Sequence, residues 1–104
     1  MNIQDMEYMS VKADEVAATM GYLSNPARMR ILCALAVEEM SVGELVTMLG
    51  LPQPTISQHL TRLRESGLVA SRRDGTRVLN RLHDPKVMQI MALLHKLYCE
   101  DDTP

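Results

Sequence analysis

The sequence contains no phenylalanine and no tryptophan, and its aromatic residues are three tyrosines. A core must therefore come from aliphatic side chains and the nine methionines, which indicates packed helices. No apolar run approaches the roughly 20 residues that cross a bilayer. The polar, acidic stretch 1–15 also lacks the pattern of a signal peptide. With 104 residues and only two cysteines, we expect one cytoplasmic domain, 1–104, with reduced thiols.

An overall excess of positive charge is also missing, because the net charge is −2. The basic residues nevertheless cluster in the segment 53–83, whose only acidic residues are Glu65 and Asp74. The segment contains six arginines: Arg62, Arg64, Arg72, Arg73, Arg77 and Arg81. Salt screens charges beyond about 10 Å, so a local patch decides whether phosphate is attracted. This patch indicates nucleic-acid binding, and a merely solvated charged surface is the alternative that charge alone leaves open.

Residues 41–67 have the pattern of a helix-turn-helix unit. Ser41 and Glu44 have the spacing of a capping box, and Gly50 and Pro52 predict a sharp break after a short helix. The next helix, about 53–66, carries apolar residues at core spacing and polar residues on the remaining face. A short helix, a tight turn and a polar-faced second helix are typical of a unit that inserts into the major groove of DNA.

Two short strands are predicted after this unit, over about 69–82, on either side of the turn Asp74-Gly75-Thr76. The predicted fold is mainly α with a small β-hairpin wing, in the order α-α-α-α-β-β-α, which is a winged helix-turn-helix. Helices at about 5–20 and 84–99 carry long apolar stripes, more than is needed to cover a core. We expect these terminal helices to form a two-fold dimer, with a monomer as the alternative.

The expected DNA contacts lie on the second helix of the unit and on the wing. Gln58 is suited to a bidentate contact with adenine, and Arg62 to guanine or phosphate. His59 is expected to reach the backbone of the DNA or to support its neighbours, whereas the wing arginines would enter the minor groove or meet its phosphates. The full predicted set is Gln53, Thr55, Ser57, Gln58, His59, Arg62, Arg73 and Arg77. No residues are arranged for catalysis, so we predict no enzymatic activity.

The stretches LSNPARMRILCAL (23–35) and SQHLTRLRESGLV (57–69) resemble ArsR/SmtB-type bacterial repressors, over about residues 14–99. The resemblance implies a homodimer that binds a palindromic operator in double-stranded DNA. Many members of the family sense metals, but the residues 44–48 lack the thiols of one family site. Asp84 and His95 match only two positions of the other, where Leu82 and Tyr98 replace further ligands. Zn²⁺ usually requires four ligands, so no metal or other cofactor is expected.

Cys33 in the second predicted helix and Cys99 at the end of the last one are placed as in a dithiol-sensing subgroup of this family. That resemblance implies that persulfides, polysulfides or peroxide modify both thiols and weaken operator binding. Some members of the subgroup regulate virulence genes and activate them by displacing a silencing nucleoid protein. Three alternatives stay open: inert cysteines, a metal inducer, and a winged helix that binds proteins through its arginines. A lone cysteine in a helix is often only a small buried residue.

Overall fold

The computed structural model describes residues 1–100, and the last four residues of the predicted domain lie outside the described part. Its elements are α1 (Ile3–Val11), α2 (Ala13–Leu23), α3 (Pro26–Val37), α4 (Val42–Leu49), α5 (Gln53–Glu65), β1 (Val69–Asp74), β2 (Arg77–Leu82) and α6 (Pro85–Tyr98). The predicted order of helices, hairpin and final helix is confirmed.

The first predicted helix, about 5–20, is longer than expected and is divided into α1 and α2. The division falls at Lys12, whose N–H donates to the carbonyls of both Tyr8 and Met9. Shared hydrogen bonds of this kind accompany a tightened last turn. The apolar spacing continues across Lys12 without a glycine or proline, so the sequence pattern carries no signal for the break.

Helix α3 lies at the centre of the core. Asn25 caps its N-terminus through a 3.0 Å hydrogen bond from the Arg28 N–H, and Pro26 occupies the first helical position. The helix packs against α2, α4, α5, α6 and β2. The side chains that fill this core without exposure are aliphatic: Ile31, Leu32, Leu45, Ile56, Leu60, Leu63 and Val87.

The helix-turn-helix unit forms α4 and α5 as expected. Ser41 and Glu44 make the predicted capping box, with hydrogen bonds of 3.1 and 3.2 Å. Gly50 ends α4 in the left-handed conformation at φ 66°, which other residues rarely adopt. The chain then turns through Pro52 into α5, which presents its apolar side to the core.

The wing is an antiparallel hairpin in which Val69 pairs with Leu82 and Asp74 pairs with Arg77. Its free edge is extended by Met40 in the loop between α3 and α4. Met40 exchanges two backbone hydrogen bonds with Asn80, at 2.8 and 3.0 Å. This bridge fixes the wing to the same loop that leads into α4.

Candidate DNA-binding surface and thiol pair

Helix α5 has one buried side and one exposed side. Ile56, Leu60 and Leu63 are fully buried, whereas the predicted contact residues Gln53, Gln58 and Arg62 are exposed. Thr55 and Ser57 are half-buried on the flanks of the helix. None of the six predicted contact residues of α5 is therefore among its buried core residues. The exposed amides and the guanidinium are accessible to a groove of DNA.

His59 is the predicted contact residue that packs most closely against the protein. It is half-buried, and its Nδ1 atom is buried without a hydrogen-bond partner among the described residues. Burial, followed by the nearby charges of Arg28 and Arg62, lowers the pKa of His59. A group with a lowered pKa is neutral near pH 7, so His59 suits a supporting position better than a phosphate contact.

The four arginines of the wing point to two different faces of the hairpin. Residues directly opposite in an antiparallel pair share a face, and faces alternate along each strand. Arg73, opposite Val78, lies on the same face as Ser71 and Asn80. The other three wing arginines lie on the opposite face: Arg72, Arg77 and Arg81.

Two arginines of that second face make ion pairs with the helix-turn-helix body. Arg72 donates two hydrogen bonds to the Glu39 carboxylate, at 2.9 and 3.0 Å. Arg77 Nη1 lies 3.3 Å from Glu44 Oε1, the same oxygen that accepts the Ser41 N–H of the capping box. The hydrogen bond from Arg72 lowers the pKa of Glu39, and the hydrogen bonds from Ser41, followed by the Arg77 charge, lower the pKa of Glu44. Both carboxylates are thus firmly ionised at neutral pH.

Asn80 is a fully buried polar residue that sequence reasoning missed. Its Nδ2 donates to the Met40 carbonyl at 3.0 Å, and its Oδ1 accepts from Arg64 Nη1 at 3.1 Å and Ser71 Oγ at 3.2 Å. Asn80 therefore connects the wing to the loop before α4 and to helix α5. The only signal in the sequence is an asparagine inside a strand, where this residue type is disfavoured.

Cys33 on α3 and Cys99 at the C-terminal cap of α6 are exposed thiols. Partial burial raises the pKa of Cys33, and the charge of the nearby Cys99 adds to the shift. A raised pKa reduces the thiolate fraction at neutral pH. The structure thus brings the two predicted sensing residues into one region, and neither burial nor charge activates Cys33 as a nucleophile.

An open pocket of about 650 Å³ adjoins Cys33, between α3, β2 and α6. Its walls are mainly apolar, with Leu35, Met88 and Met91 among them, and His95 and Arg81 add polar groups. Within residues 1–100, no three His, Cys, Asp or Glu side chains are grouped to hold a metal ion. No helix in the same range is long and apolar enough to cross a membrane.

A two-helix unit with an exposed polar face, followed by an arginine-bearing hairpin, defines a winged helix-turn-helix regulator. The family model described as bacterial regulatory protein, arsR family, matches residues 25–71. The transcriptional activator HlyU of Vibrio cholerae is 43% identical over 100 residues, which cover 96% of this chain and 90% of that protein. This chain belongs to the ArsR family of bacterial regulatory proteins, and it is a winged-helix, DNA-binding member of the HlyU-like kind.

Two solved structures agree with this assignment. The transcriptional repressor BigR from Xylella fastidiosa has a TM-score of 0.83 at 39% identity, covering 95% of this chain and 98% of that one. The homodimeric winged helix-turn-helix domain Mb0332 from Mycobacterium bovis has a TM-score of 0.76 at 34% identity, covering 88% and 85%. The predicted fold class and family resemblance are therefore confirmed.

The raised pKa of Cys33 predicts slow alkylation at neutral pH. Alkylation by iodoacetamide is followed by mass spectrometry. At pH 7, Cys33 should react more slowly than the same cysteine in the unfolded chain. Its rate should still increase with pH above the pH range in which an ordinary thiol ionises. Cys99→Ser removes the like charge but leaves the burial of Cys33. The alkylation rate at Cys33 should therefore rise but stay below that of the unfolded chain. A pH profile for Cys33 that coincides with the unfolded chain would contradict this account.

Proposed function

We propose that this chain is a homodimeric regulator that reads a palindromic operator through α5 and the wing, and whose operator affinity falls when Cys33 and Cys99 are oxidised or sulfur-bridged. The observation that carries the proposal is the exposed polar side of α5 beside an arginine-rich wing. The base contacts would come from Gln53, Thr55, Ser57, Gln58 and Arg62, with phosphate or minor-groove contacts from Arg73 and Arg77. His59 would support its neighbours.

The terminal helices support the proposed dimer. Helix α1 buries no residue in its own chain, and Ile3 is 72% exposed. Helix α6 likewise leaves Leu93 and Leu97, one helical turn apart, more than half exposed. Contiguous apolar surface of this kind marks an interaction site, and the relative Mb0332 is homodimeric. A two-fold axis through these helices would set the two α5 helices about 34–36 Å apart, one turn of DNA.

The thiol pair supports the proposed control by oxidation. Closing Cys33 and Cys99 with peroxide would form one S–S bond and release two waters, since each thiol gives up one hydrogen. In the chain-entropy model, a bridge that closes a loop of this length stabilises the linked fold against unfolding by about 4 kcal/mol, minus any native strain. A hundredfold change in operator affinity requires about 2.7 kcal/mol. The bridge would tie α6, at the proposed dimer interface, to α3, against which α5 packs.

Whether the net effect on transcription is repression or activation depends on the promoter. Bound alone at an operator, the dimer would block transcription. Where a silencing nucleoid protein occupies the same DNA, the dimer would compete with it and activate. HlyU is described as an activator and BigR as a repressor, so both outcomes occur among the relatives of this chain.

Sequence reading by α5 predicts different losses for two variants. Duplexes bound by the dimer are first selected from a random library, and their affinity is compared with that of random duplex. Gln58→Ala should lose about 1–3 kcal/mol on the selected site and little on random DNA, because it removes a base contact. Arg73→Ala should weaken binding to the selected and the random duplex by the same factor. It should also reduce the slope of logarithmic affinity against logarithmic salt by about 1, because one phosphate contact is lost. Equal losses on both duplexes for Gln58→Ala would remove it from base reading.

Control by the thiols predicts a large change in affinity on the same selected duplex. Treatment with peroxide or tetrasulfide should weaken binding about a hundredfold, and reductant should restore it. Intact mass should show the loss of two hydrogens or the gain of sulfur. Cys33→Ser and Cys99→Ser should each bind as the reduced protein does under all conditions. Unchanged affinity despite a confirmed change in mass would show that the cysteines are inert.

A further inference from the structure

We infer that Glu39 and Glu44 are specificity-determining residues, which occupy Arg72 and Arg77 in the unbound protein and so lower its affinity for DNA in general. This inference rests on the proposed function, because it concerns the same DNA-binding surface. It assigns a function to two acidic residues that lie outside α5.

The geometry of the two pairs is the first support. Glu39 lies in the loop between α3 and α4 and holds Arg72 of β1 by two parallel hydrogen bonds. Glu44 lies in the first turn of α4 and holds Arg77 of β2. A carboxylate offers guanidinium the same pair of acceptor oxygens that a phosphate offers. Glu39 therefore satisfies Arg72 in the way that a DNA phosphate would, and Glu44 offers Arg77 a single carboxylate contact.

The exposure of the pairs is the second support. Arg72 and Arg77 are about half exposed in their ion pairs. Exposed ion pairs are weak and exchange readily, so a nearby phosphate can displace the carboxylate. Arg73, on the other face of the hairpin, makes no ion pair within residues 1–100 and is available at once. In the wing, Arg73 is thus available at once, whereas DNA must first release Arg72 and Arg77 from their carboxylates.

Competition of this kind acts mainly on non-operator DNA. Binding to random duplex comes almost entirely from phosphate contacts, whereas operator binding adds base contacts from α5. When an arginine moves from its carboxylate to a phosphate, the freed carboxylate takes up a cation from solution, which offsets the cation released from the DNA. Removing the carboxylate should therefore strengthen binding to random DNA and make that binding more sensitive to salt.

The test uses three single-charge variants of the full chain and a random-sequence 24-base-pair duplex, titrated from 50 to 300 mM salt. Glu39→Gln and Glu44→Gln each remove one paired carboxylate. Glutamine at position 44 still accepts the Ser41 N–H, so the capping box is kept. Glu38→Gln is the matched control, since Glu38 is exposed, adjacent in sequence and without an ion pair among the described residues. Circular dichroism confirms that each variant is folded.

Glu39→Gln and Glu44→Gln should each steepen the slope of logarithmic affinity against logarithmic salt by up to about 0.9. Affinity at 50 mM salt should rise by up to about tenfold, and Glu38→Gln should change both quantities much less. If the wild type binds the duplex and the three variants behave alike, the inference is overturned while the proposed function stands. If the wild type ignores duplex DNA at low salt, both are overturned.

Discussion

The buried carboxamide of Asn80 joins three segments that are distant in the sequence. It holds the Met40 carbonyl of the loop before α4, Arg64 of α5 and Ser71 of the opposite strand. A buried amide that lost these partners would leave unsatisfied polar groups, at a cost of about 1–3 kcal/mol. The wing is therefore held at a defined angle to α5. A hairpin of two short strands would be only marginally stable without such support.

This attachment determines which charges a DNA duplex would meet. Arg64 donates to Asn80, whereas the exposed Arg62 and Arg73 make no ion pair within residues 1–100, so these two would be available to DNA. Arg72 and Arg77, on the other face of the hairpin, would reach phosphate only after displacing their carboxylates. A protein with a net charge of −2 can in this way present a local basic surface while limiting its attraction to DNA in general.

Local features of the structure could be predicted from the sequence, and features that depend on distant contacts could not. The capping box at Ser41 and the end of α4 at Gly50 are encoded by neighbouring residues and were predicted correctly. The hydrogen bonds of Asn80 to Arg64 and Met40 and the Glu39–Arg72 pair join residues 16 to 40 positions apart, and no local sequence pattern indicates contacts over such distances. The accessible side of α5 followed from its core spacing, but the partial burial of His59 depends on its packing within the fold.

A double-mutant cycle tests most directly whether Asn80 makes the wing and α5 one DNA-binding unit. Binding to random duplex is measured for Arg73→Ala alone and in the Asn80→Leu background. Arg64→Met serves as a second background that leaves the Met40 bridge in place. If the wing is positioned through Asn80, the loss caused by Arg73→Ala should shrink in both backgrounds, with a coupling of at least about 0.5 kcal/mol. Equal losses in all backgrounds, in proteins that remain folded, would contradict the account.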